Sequence, residues 1–459
     1  MRPWQILHLV TALAPTAAAF PPEDVITRDV CIVGGGATGT YAAVQLVERG
    51  HSIVIVEQKD RLGGHAETLY LPSGEYLNYG VQGYFNERIV RNFFSQLNVD
   101  YEVYTPPSIH SDSINFQTGE RVTSNDSPLG TFLGALQYHA AVGQFDYLAT
   151  GAFYLPDEVP EVLLRPFREF VTAYGLQSVL PIVFTWTDVA GNILDKPTFY
   201  VIRNFSISHL QALLRGPGIR PKNGTQTLFR QAAKYIDENY NILYQTTVKR
   251  ATRNSSGVEL VVESTGGGRK LIRAKKLLIA FPPLLSNLQG FDLSEEELVL
   301  FGKWAYMTYY GVVVSNTGVP DGLSLANRNP NNQPGSLPLT PFESVMDYSG
   351  VPGHHTTRIV GDANFTEEDA KQLVLDDLRR MGEAGTFPVN ETPEIIAFAS
   401  HSPELLTVPV GDVRNGFFKR LYALQGQQST YYTGHAFCTD YSPQLWNYTL
   451  SVVNMMDLV

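Results

Sequence analysis

The chain has 459 residues, of which 44% are hydrophobic and 17% charged, proportions that exclude a disordered or fibrous protein. That length accommodates one large or two ordinary domains. Its 34 Lys plus Arg against 45 Asp plus Glu leave a formal charge of −11 without a basic block. It therefore lacks the electrostatic footprint of a nucleic-acid binder or of a protein held on an anionic membrane.

Met1–Phe20 reads as a secretory signal. Arg2 forms the positive start, Trp4–Ala14 the apolar stretch and Ala17-Ala18-Ala19 the small residues of a cleavage site, so 1–19 are expected to be removed. No later window sustains the roughly 18 apolar residues of a membrane span, and the mature chain is expected to have none. N-x-[ST] sequons at Asn125, Asn204, Asn223, Asn254, Asn364, Asn390 and Asn447 agree with a secretory route. Asn125 is followed by Ser127-Pro128, a poor acceptor context, and Asn447 falls in a segment expected to be buried. Cys31 and Cys438 are too few for a disulfide framework, and Cys31 lies mid-strand as a buried, inert thiol. No Cys/His cluster has metal-ligand spacing, so no metal is expected.

Val30–Val33 is a β-branched run suited to a strand buried on both faces. Gly34-Gly35-Gly36-Ala37-Thr38-Gly39 follows at once, then a helix over Thr40–Gly50, then a second strand over His51–Glu57 that ends in an acid. Gly34 permits the tight turn, Gly36 lets a pyrophosphate approach bare backbone, and Gly39 lets the helix pack closely on the strand. The helix N-terminus, at Ala37 and Thr38, presents unpaired N–H groups and partial positive charge to the phosphates. Glu57, 23 residues after Gly34, can accept from both ribose hydroxyls and disfavours a 2′-phosphate. Strand, glycines, helix, strand and acid in this order predict dinucleotide binding.

The continuation Arg61-Leu62-Gly63-Gly64-His65 places a second glycine pair just beyond the ribose acid and resembles the flavin amine-oxidase superfamily. In that superfamily this turn runs under the FAD pyrophosphate toward the isoalloxazine, and the resemblance implies FAD rather than NAD. It also implies cofactor contacts at Arg61, Gly63, Gly64 and His65, where most relatives have a basic residue. Asn241–Lys249 and Val258–Val262 correspond to later strands of that FAD domain, with the backbone near Val248 at the adenine. Lys276–Pro283 corresponds to its buried strand, and Thr430–His435 with Gly434 leads into a helix from Ser442 to Val452. The carboxylate that relatives carry two residues past that glycine is replaced by Ala436, with Asp440 the nearest acid. Within the superfamily, the leader, Thr27–Val33, Arg61–Thr68 and Tyr79-Gly80-Val81-Gln82 are most similar to the fungal β-cyclopiazonate dehydrogenase family.

The expected fold is α/β, a Rossmann-type FAD-binding domain of glutathione-reductase and amine-oxidase kind carrying an inserted α+β substrate domain. The FAD-like pieces are 28–95, 220–290 and 405–459; the insertions 96–219 and 291–404 would form the substrate domain. Leu129–Leu148 and Glu158–Leu180 read as helices, Trp304–Ser315 as extended and Asn327–Pro341 as a surface loop. Phe184, Trp186, Tyr200, Trp304, Tyr309, Tyr310 and Trp446 are candidate pocket walls. His65 and His435, beside the flavin-facing glycines, and the phenols of Tyr309 and Tyr310 are the candidate catalytic groups. Amine oxidases place a lysine in the strand after the second FAD segment; here that position falls among Tyr306, Met307 and Thr308. Hydride abstraction from an activated C–H therefore fits better than amine oxidation. The resemblance implies desaturation or oxidative cyclisation of a prenylated or terpenoid small molecule in secondary metabolism. The alternatives are a secreted flavin amine or amino-acid oxidase and a flavin-binding protein without turnover. Substrate, electron acceptor and oligomeric state are left open.

Overall fold

Strand β1 (Val25–Val33) enters the core at Val30, Cys31 and Ile32, where β-branched and small side chains fill both faces of a sheet. The computed structural model describes residues 20–108, 110–123, 127–388 and 392–457, so the expected leader and the Asn125 and Asn390 sequons lie outside the described residues. β1 pairs in parallel with Arg269–Ile279 on one side and with β2 (Ile53–Val56) on the other, Ile32 standing between Leu278 and Ile55. Ile242–Leu243 extends the parallel edge beyond β2, and Thr430–Tyr432 adds to Arg269–Ile279. An antiparallel meander, Thr246–Asn254 with Gly257–Ser264, completes seven strands.

Helix α1 (Ala37–Glu48) begins three residues earlier than its apolar pattern implies, because Gly36 is the cap. It packs against the C-terminal helix Ser442–Asp457, whose Trp446 stacks on Tyr41 at 5.5 Å and donates its indole N–H to the Ala37 carbonyl at 3.2 Å. A second sheet of eight strands is built from His110–Asn115, Glu120–Arg121 and strands between Ala305 and Thr407, with Glu367–Glu383 packed on it. Short helices between Pro128 and Leu214 form a separate layer.

Some expectations need correction. Glu158–Leu180 is not one helix: Pro160 and Pro166 start new short helices at Glu161–Leu164 and Phe167–Tyr174, and Gly175 stops the second in a left-handed conformation. Asn241–Lys249 is split by Gln245 at positive φ into two strands. Asn447 is exposed on the C-terminal helix, whereas Asn204 is buried, its amide oxygen accepting from the Thr439 hydroxyl at 3.3 Å. Cys31 is buried as expected, its thiol pushed up to about 12 by burial. No helix among the described residues is long and apolar enough to cross a membrane.

On the second-sheet strand Phe342–Tyr348, Glu343 is fully buried and neither carboxylate oxygen meets a donor, while Asp377 beside it, on the helix Glu367–Glu383, is bound to Arg380. Burial raises both carboxyls, and a proton retained by the pair satisfies Glu343. An acid raised in the folded state contributes fully below the unfolded pKa of about 4. That contribution falls as pH rises toward about 7, the value to which Asp377 is pushed. Melting temperature is therefore expected to fall from pH 5 to pH 8, and Glu343→Gln to flatten that slope, measured by scanning calorimetry on both proteins.

Candidate active site

The first-turn amides of α1 have no side-chain cap, and they face a cradle of bare backbone. A Cβ added at Gly36 would find nothing nearer than the Gly64 Cα at 3.9 Å, so no protein atom demands glycine there. A Cβ at Gly39 would lie 1.9 Å from the Gly34 carbonyl oxygen, so that glycine is fixed by helix–strand packing. Gly34 has φ +101° and Gly63 +116°, and Gly63 N–H donates to the Gly35 carbonyl at 2.9 Å, binding the two glycine turns together. Gly434, at φ +111°, faces the Thr38 hydroxyl from the far side.

Glu57 sits at the end of β2 and is buried. Its Oε2 accepts from Gly35 N–H at 2.6 Å and its Oε1 from Lys59 N–H at 2.7 Å. Both oxygens keep a lone pair for a ribose diol. Thr246 N–H donates to the Glu57 carbonyl at 2.9 Å, bringing the strand that holds Val248 to the same end. Arg61 turns from the cradle to Gln226 and Glu67, so its guanidinium supports the turn. An uncapped helix, a cradle without Cβ atoms and one oriented acid fit the diphosphate and ribose of FAD.

Beyond the glycines, His65, His401 and His435 gather around Glu404. His65 Nδ1 stands 3.3 Å from Glu404 Oε1, the His65 and His401 rings stack at 4.3 Å, and the His435 ring lies 6.2 Å from that of His65. Burial would raise the Glu404 carboxyl, but His435 and His65 outweigh it and hold the pKa below the ordinary range. His401 is driven well below the usual imidazole range by burial and then by His65, and its Nε2 has no partner. His435 is lowered by burial against the pull of Glu404, and its Nε2–H donates to the Pro403 carbonyl at 3.0 Å.

Tyr309, Arg358, His435 and Tyr441 are half-buried and Asp440 is exposed, and their accessible surfaces border a space beside His401, whose ring lies 6.0 Å from that of Tyr309. One wall is aromatic: Phe85 stacks on Trp186 at 5.5 Å and on Tyr441 at 5.7 Å. Another is charged: Arg358 pairs with buried Asp188 at 3.4 Å, and Asp188 also accepts from the Ser344 hydroxyl at 2.7 Å. Burial pushes the Tyr309 phenol up, reinforced by Asp188, so it stays protonated and can donate.

His65, His435 and Tyr309 thus come together. Tyr310 does not. Adjacent strand residues point to opposite faces, and Tyr310 enters the second core, its O–H donating to the Phe365 carbonyl at 2.7 Å. Among the proposed walls, Trp446, Tyr200 and Phe184 are core residues and Trp304 packs on Phe417, leaving Trp186 and Tyr309. Glu404, His401, Asp188, Arg358 and Tyr441 were not singled out in the sequence. His401 and Glu404 had one available signal, their place beside Pro403 just ahead of the C-terminal FAD segment.

The chain matches the family described as flavin containing amine oxidoreductase over residues 37–402. It is 38% identical to beta-cyclopiazonate dehydrogenase of Aspergillus oryzae, covering 96% of this chain and 95% of that one. It is 34% identical to the FAD-dependent oxidoreductase dbaF of Emericella nidulans, over 96% and 94%. Among solved structures it resembles a CLA-producing fatty acid isomerase from P. acnes, with TM-score 0.73, 18% identity and coverage of 93% and 98%. A putrescine oxidase mutant gives TM-score 0.66 at 15% identity, over 95% and 99%. At these identities the structures speak for the fold.

Gly36→Val is expected to fold with nearly unchanged melting temperature yet lose bound flavin, read as the flavin absorbance per protein. Gly39→Val is expected to lose the fold itself, because its side chain overlaps the Gly34 carbonyl. A Gly36→Val protein that keeps its full flavin would show that the cradle lies elsewhere.

Proposed function

The chain belongs to the flavin containing amine oxidoreductase family and is an FAD-dependent oxidoreductase related to fungal secondary-metabolite enzymes, and from that premise we propose a substrate and a reaction. The substrate is a prenylated or terpenoid metabolite, and the reaction takes hydride from an activated C–H to give a double bond or a new ring. FAD, when bound, supplies the two-electron acceptor. Gly36, Gly64, Gly434 and the α1 amides would hold its diphosphate and ribityl side, and Glu57 its ribose.

The observation that carries this reading is Tyr309. The strand Ala305–Ser315 contains no lysine, and its half-buried Tyr309 sets a phenol beside His401, the two rings 6.0 Å apart. Lys303, the nearest lysine in that stretch, pairs with Asp412 at 2.8 Å. A phenol held protonated donates one hydrogen bond and offers no amine to order a reactive water. Phe85, Trp186 and Tyr441 exclude water and present flat apolar faces suited to an indole or prenyl group. His65 stands beside the Glu404 carboxylate at 3.3 Å, next to the glycine turn that precedes it.

Secretion belongs to the same reading: the leader and the exposed Asn223, Asn254, Asn364 and Asn447 support it. The mature protein is expected to begin near Phe20 and to shift in mobility after endoglycosidase treatment, both read by mass spectrometry.

The purified holoenzyme, mixed anaerobically with prenylated indoles and terpenoids, is expected to bleach at the flavin band with at least one of them and to stay oxidised with simple amines. Bleaching by amines with peroxide release in air would make it an amine oxidase. Silence with both sets would leave a flavin protein without this activity.

A further inference from the structure

We propose that Arg358 is a specificity-determining residue of this site, its guanidinium donating to a neutral carbonyl oxygen of the substrate, that of an amide, a lactam or a ketone. Asp188 is the positioning residue that holds the guanidinium and turns carboxylates away. The proposal rests on the reading of the substrate as a prenylated or terpenoid metabolite, and adds to it a polar group that meets the enzyme beside the aromatic wall.

Strand register sets Arg358 on the face of the second sheet that carries Tyr309. Tyr309 stands opposite Val360 and Gly311 opposite Arg358. Tyr309 and Arg358 are therefore diagonal neighbours on one face, a spacing of about 7–8 Å that long side chains bridge. Gly311 puts no side chain beside the arginine, and the Tyr79 carbonyl oxygen occupies the place a Cβ there would take. From Tyr309 the face runs on toward the glycine turns. His401 N–H donates to the Tyr309 carbonyl at 2.8 Å, the two rings lie 6.0 Å apart, and the His401 ring stacks at 4.3 Å on His65, which follows Gly64. Toward the aromatic wall, Arg358 Nη1 lies 3.5 Å from the Thr185 carbonyl, and Trp186, the next residue, stacks on Phe85 at 5.5 Å.

The donors of Arg358 are largely open. A guanidinium carries five N–H groups. Nη1 approaches Asp188 Oδ2 at 3.4 Å and the Thr185 carbonyl at 3.5 Å, both longer than the about 2.7–2.9 Å of a seated charge-assisted bond. Nε is buried without a partner, Nη2 has none among the described residues, and 31% of the side chain stays exposed. Arg253 shows the opposite case in the same chain. Fully buried, it binds Glu297 through Nη1 and Nη2 at 2.7 and 2.8 Å and Asp292 through Nε at 2.8 Å, as an arginine with a structural role does.

The charges around Arg358 select the kind of acceptor. Asp188, on the short helix Asp188–Ala190, is buried and accepts from the Ser344 hydroxyl at 2.7 Å, so it is fixed where it meets Nη1. Val345 stands opposite Arg358 and Asp347 opposite Thr356, which sets Asp347 diagonal to the arginine on the same face. One cation beside two carboxylates leaves no net positive charge for an anion, and a substrate carboxylate would meet like charge. A carbonyl oxygen needs only an N–H, and a guanidinium without its full set of acceptors rewards a substrate that supplies one.

The test is calorimetric binding of indole-3-carboxamide, indole-3-carboxylate and indole to the oxidised FAD holoenzyme. None of these flat probes has an sp3 C–H, so no hydride can leave and binding is read apart from turnover. Wild type is expected to bind the carboxamide about tenfold or more tightly than indole, the gain from one charged hydrogen bond, and more tightly than the carboxylate. Arg358→Met is expected to remove the carboxamide's advantage and Arg358→Lys to keep part of it. Asp188→Asn is expected to move the preference about tenfold toward the carboxylate, a change that a merely structural aspartate would not produce. Equal binding of carboxamide and indole by wild type overturns the proposal, as do absent carboxamide binding and an advantage that survives Arg358→Met. An unchanged preference in a flavin-loaded Asp188→Asn enzyme overturns the role given to Asp188. Should a variant lose its flavin, the remaining variants decide. Failure to bleach with prenylated indoles while the carboxamide preference holds defeats the hydride reading alone, and loss of that preference with bleaching intact defeats this one alone.

Discussion

Backbone meeting backbone, where the turn at Gly36 comes against the turn at Gly64, is the constraint from which the rest of the site follows. A Cβ at Gly64 would stand 3.0 Å from the Gly36 Cα, so side chains there would part the two turns. Gly39 seats α1 directly on β1, which aims the uncapped helix end at the gap. Glu57 then joins the pieces, accepting from Gly35 on one turn and Lys59 at the start of the next. Charge-assisted hydrogen bonds of this kind contribute about 1.5–3 kcal/mol each. The acid that would receive the ribose is therefore also a clamp on the phosphate turn.

This half of the molecule was legible because its chemistry is local. Strand, glycines, helix and acid lie within one stretch from Val30 to Glu57, and each residue type has one physical reason to be there. The parallel pairing of β1 with β2 and with Arg269–Ile279 agrees with the apolar runs. The enclosed space was legible only in fragments. Its walls come from Phe85, Trp186, Asp188, Tyr309, Arg358 and Tyr441, which share no sequence neighbourhood. Tyr309 and Tyr310 looked equivalent in sequence; a strand's alternation sends one to each face, and the sequence does not say which. The single helix read over Glu158–Leu180 failed because apolar spacing outweighed Pro160 and Pro166, which fix φ and remove the N–H a helix needs.

Two of the charged side chains there are paired, since an isolated ion taken from water costs several kcal/mol. Arg358 has Asp188, and His65 has Glu404. The histidines are kept neutral where burial is deepest, as His401 shows, and the phenols remain protonated. Such a site offers hydrogen-bond donors and flat apolar walls with little free positive charge to attract a small anion. On the proposed reading, these walls meet a prenylated or terpenoid substrate.

The two sides of the space differ in origin, and that division bears on how one scaffold serves different metabolites. His65, His435 and the glycine turns are carried by the Rossmann sheet and its loops, whose geometry the dinucleotide dictates. Trp186 and Asp188 come from the helical layer, and Arg358 and Tyr309 from the second sheet. Tyr441 belongs to both, since its ring packs on Phe85 and Trp186 while its neighbour Asp440 follows the flavin-side turn.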